Sequence, residues 1–365
     1  MPTTQLDHYR LLGRSGLRVS PLCLGTMTFG EDWQTGANEE DSRTIFLDYV
    51  EKGGNFIDTA DLYTNGTSEK YVGKFAKEVG RDRLVIATKF TFNGGAMGID
   101  DLKLRGKPDP NAGGNGRKHM RQAVEDSLKR MQTDYIDLLW VHCWDGRTPV
   151  EETMRGLDDL VASGKVNHVG VSDYPAWKVA EANTLATLRG WSPFVALQVE
   201  YSLVERTTER DLIPMARDVG LGVTPWSPLG QGVLTGKFLD GGKDQGSRLE
   251  KNPNRLGGKY VSNQAEKAAR AVVEVAKQKE VSPSRVALAW LLHQPGVTSP
   301  IIGARKTTHL DDNIEAVSVD LTAEELTKLD EATRVDLGFP HDFLLEVDNM
   351  VTAGASVDAP HGRLV

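Results

Sequence analysis

Residues 55–73 read NFIDTADLYTNGTSEKYVG and join a short apolar run, a polar loop and the start of an amphipathic segment. The apolar run ends on Asp58, and Tyr63 follows five residues later. From Ser68 onward, apolar residues are spaced three and four apart, which is typical of a helix that packs on one face. The stretch therefore predicts a buried strand that ends on a carboxylate, a loop that carries a phenol, and a helix.

The same order of elements recurs along the chain. Apolar runs predict further strands, as in VSPLCLGT, NFID, LVIATK, YIDLLWVH, VNHVGVS, FVALQVE, GVTPWS and TSPIIG. Amphipathic segments between them, such as 41–53 and 150–164, predict helices that end near Gly53 and Gly164. Such alternation indicates right-handed βαβ units and a parallel sheet. About eight units favour an α/β fold of the closed (β/α)8 TIM barrel type over an open doubly wound sheet.

We expect one domain over residues 1–365, with a barrel core of about 10–335 and an N-terminal β-hairpin in RLLGRSGLRV. Segments 91–118 and 239–262 are rich in Gly, Pro and charge and follow strands. Both fit either tolerated surface insertions or loops that cover substrate. The C-terminal stretch 338–365 shows no clear periodicity, and we expect its Ala/Gly-rich end to be disordered.

The composition narrows the partners and the compartment. The formal net charge of -8 argues against nucleic acid or an anionic membrane surface as a partner. Two cysteines, Cys23 and Cys143, do not make a disulfide framework and indicate a reducing compartment. The N-terminal stretch MPTTQLDHYRLLG lacks a long apolar run, so neither a signal peptide nor a membrane anchor is expected. We therefore expect a cytoplasmic protein, in which the sequon at Asn65 is fortuitous.

Ionisable side chains stand where three of the predicted strands end. Asp58 follows NFI, Lys89 follows LVIAT and His142 follows LLWV, while Tyr63 lies on the loop after Asp58. In a parallel barrel the reactive side chains belong at the carboxyl ends of the strands. We therefore expect these four groups to converge at one mouth of the barrel.

These residues resemble the aldo-keto reductase family. The family's D-T-A-x-x-Y segment matches Asp58 to Tyr63. Its strand-end lysine matches Lys89, and its L-x-x-x-H element matches Leu138 to His142. The resemblance covers residues 10 to about 335, with the motifs in the right order. It implies a barrel that reduces carbonyls with a nicotinamide cofactor.

The chemistry of the four side chains agrees with that expectation. Hydride addition to a carbonyl forms an alkoxide, which needs a proton donor, and Tyr63 is the candidate general acid/base. A nearby ammonium, Lys89, favours the phenolate and so lowers the tyrosine pKa. Asp58 would pair with Lys89 and make a buried cation tolerable. A neutral His142 can donate to the carbonyl oxygen and polarise it.

The usual dinucleotide signature is absent, because none of the G-x-G triplets continues to G-x-G-x-x-G. The resemblance instead implies a cofactor bound across the barrel mouth. Asp173 stands where much of the family has Asn, and Arg305 would pair with a 2′-phosphate, which favours NADP(H) over NAD(H). His309 stands where many relatives have Gln or Arg. The implied contacts are Gly25, Thr26, Asp58, Ser172, Asp173, Gln198, Trp226, Ser227, Leu229, Lys237, Gly303, Arg305 and Asn313.

Other functions fit the sequence less well. Cys143 and His142 are adjacent in a strand and point to opposite faces, so they cannot form a nucleophilic dyad there. No H-x-H or H-x-x-x-H pair suggests a metal site. The remaining alternative is a cofactor-binding regulatory partner, because potassium-channel β-subunits resemble aldo-keto reductases. This chain lacks an extended N-terminal arm, which weakens that alternative. A small-molecule carbonyl or alcohol is the expected substrate. The aromatic residues on the early loops would line an apolar pocket, about half of them facing substrate and the others packing the loops together: Phe29, Trp33, Phe90, Phe92 and Trp144.

Overall fold

The computed structural model describes residues 6–34, 36–92, 109–242 and 255–357. The chain begins with an antiparallel hairpin of β1 (Arg10–Leu11) and β2 (Arg18–Val19). This confirms the hairpin that the sequence predicts. Leu12 and Val19 from the hairpin join the apolar cluster inside the barrel, so the hairpin closes the end of the barrel opposite the strand carboxyl ends.

Eight parallel strands then form a nearly closed barrel. They are β3 (Cys23–Gly25), β4 (Phe56–Asp58), β5 (Val85–Phe90), β6 (Ile136–Val141), β7 (Val166–Ser172), β8 (Phe194–Glu200), β9 (Gly222–Trp226) and β10 (Ile301–Gly303). The order is β10-β3-β4-β5-β6-β7-β8-β9, and an isolated parallel bridge from Val223 to Val297 lies where β9 approaches β10. Each strand coincides with one of the predicted apolar runs, and the (β/α)8 fold is confirmed.

The helices surround the sheet. The described residues contain α1 (Glu39–Glu51), α2 (Thr67–Val79), α3 (Arg117–Met131), α4 (Val150–Ala162), α5 (Ala176–Arg189), α6 (Leu212–Val219), α7 (Asn263–Lys279), α8 (Pro283–His293), α9 (Thr307–Ile314), α10 (Ala323–Thr333) and α11 (His341–Val351). Local chemistry sets several of their ends. Ser262 and Ser282 cap α7 and α8, and Thr322 forms a capping box with Glu325 at α10.

Side chains alternate between the barrel interior and the surrounding helices along each strand. Phe56, Ala87 and Trp140 belong to the interior cluster. Ile57, Ile86 and Leu139 belong instead to the large core between sheet and helices. Asp58, Lys89 and His142 each stand two positions beyond one of these interior residues, at the strand ends. Their side chains therefore point into the barrel mouth.

The C-terminal stretch is not irregular throughout, because residues 341–351 form α11. That helix has no fully buried residue, so its apolar side chains are not packed into the barrel core. Large parts of the two predicted loops, residues 93–108 and 243–254, lie outside the described residues, so their covering role stays a prediction.

Candidate active site

The three strand-end residues and Tyr63 meet at the barrel mouth, as the sequence predicts. The Lys89 ammonium donates to Asp58 Oδ2 at 2.5 Å, to the Thr59 carbonyl at 2.8 Å and to the Tyr63 hydroxyl at 3.0 Å. Lys89 is fully buried and Asp58 nearly so. The three donor–acceptor contacts use all three ammonium protons, which allows a cation to persist without water around it.

Lys89 stays charged in this environment. Burial alone lowers its pKa, but the charge of Asp58, the proximity of Tyr63 and hydrogen bonds to both outweigh burial, so the pKa is raised above its usual value. The ammonium is therefore a permanent positive charge beside the phenol at every physiological pH.

The pKa of Tyr63 differs from the expectation, because it is raised and not lowered. Burial raises its pKa, and the nearby Asp58 adds to that effect. Lys89 lowers the pKa as expected, through its charge and its hydrogen bond, but burial is the larger effect. The phenol is thus protonated at neutral pH, the state that a proton donor requires, and the lysine limits the cost of losing that proton.

His142 also packs against the phenol ring of Tyr63. Its ring lies edge-on to the Tyr63 ring, with centroids 6.2 Å apart, and Phe92 packs edge-on against it at 4.6 Å. Burial and the charge of Lys89 lower its pKa well below the usual value, so the imidazole is neutral. Among the described residues its Nδ1 has no hydrogen-bond partner. A neutral imidazole with spare hydrogen-bonding capacity is suited to orienting a carbonyl oxygen.

A buried polar network behind the mouth was missed by sequence reasoning. Glu69 is fully buried; it accepts from Thr88 at 2.6 Å and from Arg130 Nε at 2.5 Å. Thr88 precedes Lys89 on β5, so the network ties that strand end to α2 and α3. Since acidic residues are common in the first turn of a helix, Glu69 gave no signal beyond that of an ordinary exposed acid.

Predicted cofactor residues on the later strands also face the mouth. Gln198 Nε2 donates to Asp58 Oδ1 at 3.0 Å, and Trp226 Nε1 donates to Asp173 Oδ1 at 3.1 Å. Ser172 is buried, and a hydrogen bond from its side chain acts to lower the pKa of Asp173. Asp173 has a left-handed backbone with φ +50°, and burial raises its pKa to about 6 although the Trp226 bond opposes the shift.

The remaining predicted cofactor residues lie around the rim between β9 and α9 and beside β3. Gly25 ends β3, and Thr26 follows it and donates from Oγ1 to the Asp58 carbonyl at 3.0 Å. Lys237 is exposed near the ring of Phe238. The other members of this group are Ser227 and Leu229, both partly buried, the exposed Gly303 and Arg305, and Asn313, which is buried with Nδ2 3.5 Å from the Gly303 carbonyl.

A second network that the sequence did not reveal joins the segment 255–261 to the end of β8. Glu200 accepts from Lys259 Nζ at 2.6 Å and from the Tyr260 hydroxyl, and Lys259 also donates to Glu205 at 2.8 Å. Tyr260 is almost fully buried. The contacts anchor the end of the second long loop near Ser227, one of the predicted cofactor residues. This link spans about 60 residues, and no local pattern indicates it.

The predicted substrate residues divide into two groups. Trp33, Phe92 and Trp144 are partly exposed, and the Trp33 ring lies edge-on to Tyr63 at 6.4 Å. The prediction that Phe29 and Phe90 line a pocket is wrong, because both rings are buried in the core between sheet and helices. Phe90 follows the inward-facing Lys89 on β5, so its side chain must point outward.

The geometry does not favour the two alternatives of a Cys143 nucleophile and a metal site. Burial raises the pKa of Cys143 to about 11, and Asp173 and Asp145 add to the shift, so the thiol is protonated at neutral pH. Across residues 6–34, 36–92, 109–242 and 255–357, no group of three His, Cys, Asp or Glu side chains is arranged to hold a metal ion.

Comparison with known proteins agrees with this geometry. The sequence profile of the Aldo/keto reductase family matches residues 21–334. The chain belongs to the aldo-keto reductase family. It is 42% identical over 352 residues to a norsolorinic acid reductase of Aspergillus flavus, covering 94% of this chain and 86% of that protein.

Two further relatives carry a different name. The chain is 39% identical over 350 residues to an aryl-alcohol dehydrogenase of Pestalotiopsis microspora, covering 94% of this chain and 86% of that protein. It is 37% identical over 350 residues to a putative aryl-alcohol dehydrogenase of Saccharomyces cerevisiae, covering 94% and 91%. Family and relatives support an oxidoreductase, with carbonyl reduction as the general reaction.

The family generally uses nicotinamide cofactors. The relatives named here are enzymes, so the alternative of a channel-regulating partner is not favoured. Within the part of the chain that the structure describes, no helix is long and apolar enough to cross a lipid bilayer.

Proposed function

We propose that the protein is an NADP(H)-dependent reductase of aldehydes and ketones, with Tyr63 as the general acid. The observation that carries the proposal is the Lys89 ammonium, which donates to both Asp58 and the Tyr63 hydroxyl inside a buried mouth. The net charge and the two unpaired cysteines further support a cytoplasmic protein. We also propose that residues 1–365 form one domain.

The chain's residues would supply the proton of the reaction. A nicotinamide cofactor held by the rim residues would supply the hydride that the carbonyl carbon receives. The Tyr63 hydroxyl then gives its proton to the carbonyl oxygen, so that an alcohol and a phenolate result. Lys89 stabilises the phenolate, and Asp58 holds the ammonium in place. The neutral His142 orients the carbonyl oxygen beside the phenol.

The residues around the rim fit a nicotinamide cofactor. A Cβ built on Gly303 would meet no atom within 4 Å, so the end of β10 has open space beside it. Such open space at the carboxyl end of a strand is what a bound ligand would occupy. Trp226 would offer its ring to the nicotinamide, and Ser172, Asp173 and Gln198 its carboxamide contacts.

Arg305 supports a preference for the phosphorylated cofactor. Its exposed guanidinium follows β10, where a 2′-phosphate could accept two parallel hydrogen bonds. We expect Arg305→Ala to raise the KM for NADPH about tenfold or more and to leave the KM for NADH nearly unchanged. Arg189→Ala, at the exposed C-terminus of α5, is the control. A wild-type preference for NADH would refute this part.

The central experiment replaces the proton donor. Tyr63→Phe keeps the ring and removes the hydroxyl, so we expect NADPH-dependent reduction of a panel of carbonyls to fall by about 10²–10⁴-fold. Cofactor binding, followed by quenching of protein fluorescence, should persist. Tyr135→Phe is the matched control, because that hydroxyl bonds to Asp82 at the opposite end of the barrel. Near-normal turnover of Tyr63→Phe would overturn the assignment.

A further inference from the structure

The loop that carries Tyr63 has an unusual backbone. The next three residues, Thr64, Asn65 and Gly66, have φ values of +45°, +56° and +86°. Glycine adopts this left-handed conformation freely and asparagine tolerates it, whereas a β-branched threonine avoids it. The chain therefore accepts an unfavourable turn next to its proposed general acid, and the contacts of the turn indicate what it achieves.

Thr64 contributes a purely structural contact. It is fully buried, donates to the Phe29 carbonyl at 2.6 Å and accepts from the Ser68 amide at 3.1 Å. These bonds join the turn to the start of α2 and to the loop after β3. They compensate the strained backbone and fix where the turn, and with it Tyr63, stands.

Asn65 has a different position. Its backbone amide donates to the Leu62 carbonyl at 3.1 Å, while its side chain is exposed and reaches across to the loop after β3. There its Oδ1 accepts from the indole N–H of Trp33 at 3.2 Å. The left-handed backbone directs this amide toward Trp33, a contact that the turn itself does not need.

Trp33 would be poorly fixed without this bond. Two backbone hydrogen bonds hold the base of its loop, from the Gly30 amide to the Ala37 carbonyl and from the Ala37 amide to the Thr28 carbonyl. Trp33 lies in the middle of the loop, between these bonded residues. The ring is only partly buried and lies edge-on to Tyr63 at an interplanar angle of 77°. His142 also lies edge-on to the phenol, with ring centroids 6.2 Å apart. A fixed indole would thus give the reaction centre one flat aromatic wall.

We propose that Asn65 is a specificity-determining positioning residue, whose amide holds the Trp33 indole as a wall that favours planar aromatic carbonyls over small aliphatic ones. This inference rests on the proposed function, since it concerns the substrate of the same site. An aromatic substrate stacks on a fixed ring at little entropic cost. A short aliphatic aldehyde has too little apolar surface to gain binding energy from contact with the indole.

Three substitutions separate this role from a need for the turn alone. Asn65→Gly keeps the left-handed backbone and removes the amide, and Trp33→Phe keeps a ring and removes the N–H donor. Asn65→Asp retains an acceptor oxygen and tolerates the backbone, so it should restore the wild-type preference. A residue required only for the turn would be replaced by Gly without a change in selectivity.

Steady-state kinetics with 2-naphthaldehyde and propanal test the proposal. We expect Asn65→Gly and Trp33→Phe each to lower the ratio of kcat/KM for 2-naphthaldehyde over propanal about fivefold, the effect of one lost hydrogen bond. The double variant should lose no more than either single one, because both remove the same contact. Equal losses for both aldehydes, or an unchanged ratio in Asn65→Gly, would overturn the proposal.

A binding measurement keeps this test apart from that of the proposed function. Calorimetry of 2-naphthaldehyde with the enzyme and NADP⁺, which cannot reduce it, should show about fivefold weaker binding in Asn65→Gly and wild-type affinity in Asn65→Asp. If the wild-type enzyme binds but reduces neither aldehyde, the proposed function fails and calorimetry alone decides the role of Asn65. Unchanged affinity in Asn65→Gly contradicts that role.

Discussion

The Lys89 Nζ atom lies 3.0 Å from the Tyr63 hydroxyl, inside a site where burial raises the tyrosine pKa and the ammonium lowers it. The effect of burial favours the protonated phenol, which carbonyl reduction needs, and the effect of Lys89 favours the phenolate, which alcohol oxidation needs. A protonated phenol serves carbonyl reduction, and the lysine matters most when the phenolate forms or is needed for alcohol oxidation. The pH dependence of the two directions should therefore differ.

Replacing the lysine exposes this balance. Lys89→Met removes the charge that lowers the Tyr63 pKa, so the pH at which alcohol oxidation reaches half its maximum should rise by about one unit or more. Carbonyl reduction should fall about 10²-fold or more, because no cation stabilises the phenolate. The shift in the oxidation profile and the loss of reduction are both measured by pH–rate profiles of the wild type and the variant.

The same substitution leaves Asp58 buried without its partner, which costs on the order of 3–5 kcal/mol of stability. The double variant Asp58→Asn/Lys89→Met removes both charges and controls for this loss. We expect it to recover most of the melting temperature and none of the activity. A double variant that recovers activity would show that Lys89 acts only through folding.

Asp173 predicts a pH-dependent affinity for cofactor. Its pKa of about 6 means that the carboxyl can donate a hydrogen bond below pH 6 and can only accept one above it. If it contacts a carboxamide, the cofactor KM should rise several-fold between pH 5 and pH 8. Asp173→Asn keeps an acceptor for Trp226 and suits the left-handed backbone, so its KM should be lower at pH 8 and independent of pH. The same pH dependence in both proteins would contradict this role.

Asp61 predicts a pH-dependent stability. Burial, with the charge of Glu69, raises its pKa to about 8, although Arg130 opposes the shift, and its Oδ1 has no partner among the described residues. Between about pH 4 and pH 8 the folded protein keeps a proton that the unfolded chain releases. The unfolded state then binds fewer protons, so this group's contribution is full below pH 4 and is lost as the pH rises to 8.

Asp61→Asn removes that dependence. We expect its melting temperature to exceed that of the wild type by about 2–4 °C at pH 8 and to match it near pH 4. Asp134→Asn, an exposed carboxyl after α3, is the control. Calorimetry across this pH range checks the expectation, and a difference that shrinks as the pH rises would show the sign to be wrong.

The sequence predicted the repeated alternation of strands and helices and the polar residues at the strand ends. The apolar runs located all eight strands, and the polar residues that end them converge because parallel strands share one carboxyl edge. Period-two alternation alone already places Phe90 opposite Lys89, so that error was avoidable. Glu69 and Glu200 could not have been found, because their partners lie far away in the sequence and nothing local distinguishes a buried acid from an exposed one.

Gly170 shows how packing inside the barrel fixes a residue that the strand pattern leaves unexplained. It pairs with Trp140 across β6 and β7, and a Cβ at this position would lie 2.5 Å from the indole ring. Trp140 is fully buried in the interior cluster, so the ring cannot move aside without displacing its neighbours.

We therefore expect Gly170→Ala to destabilise the fold by about 1–3 kcal/mol, as overpacking does, and to lower the melting temperature measured by calorimetry. Gly16→Ala is the control, because a Cβ there meets no atom within 4 Å. The pair Gly170→Ala/Trp140→Phe provides a second check, since the smaller ring makes room for the methyl group and should recover part of the loss. If Gly170→Ala is as stable as Gly16→Ala, the interior is looser than the close approach of Gly170 and Trp140 indicates.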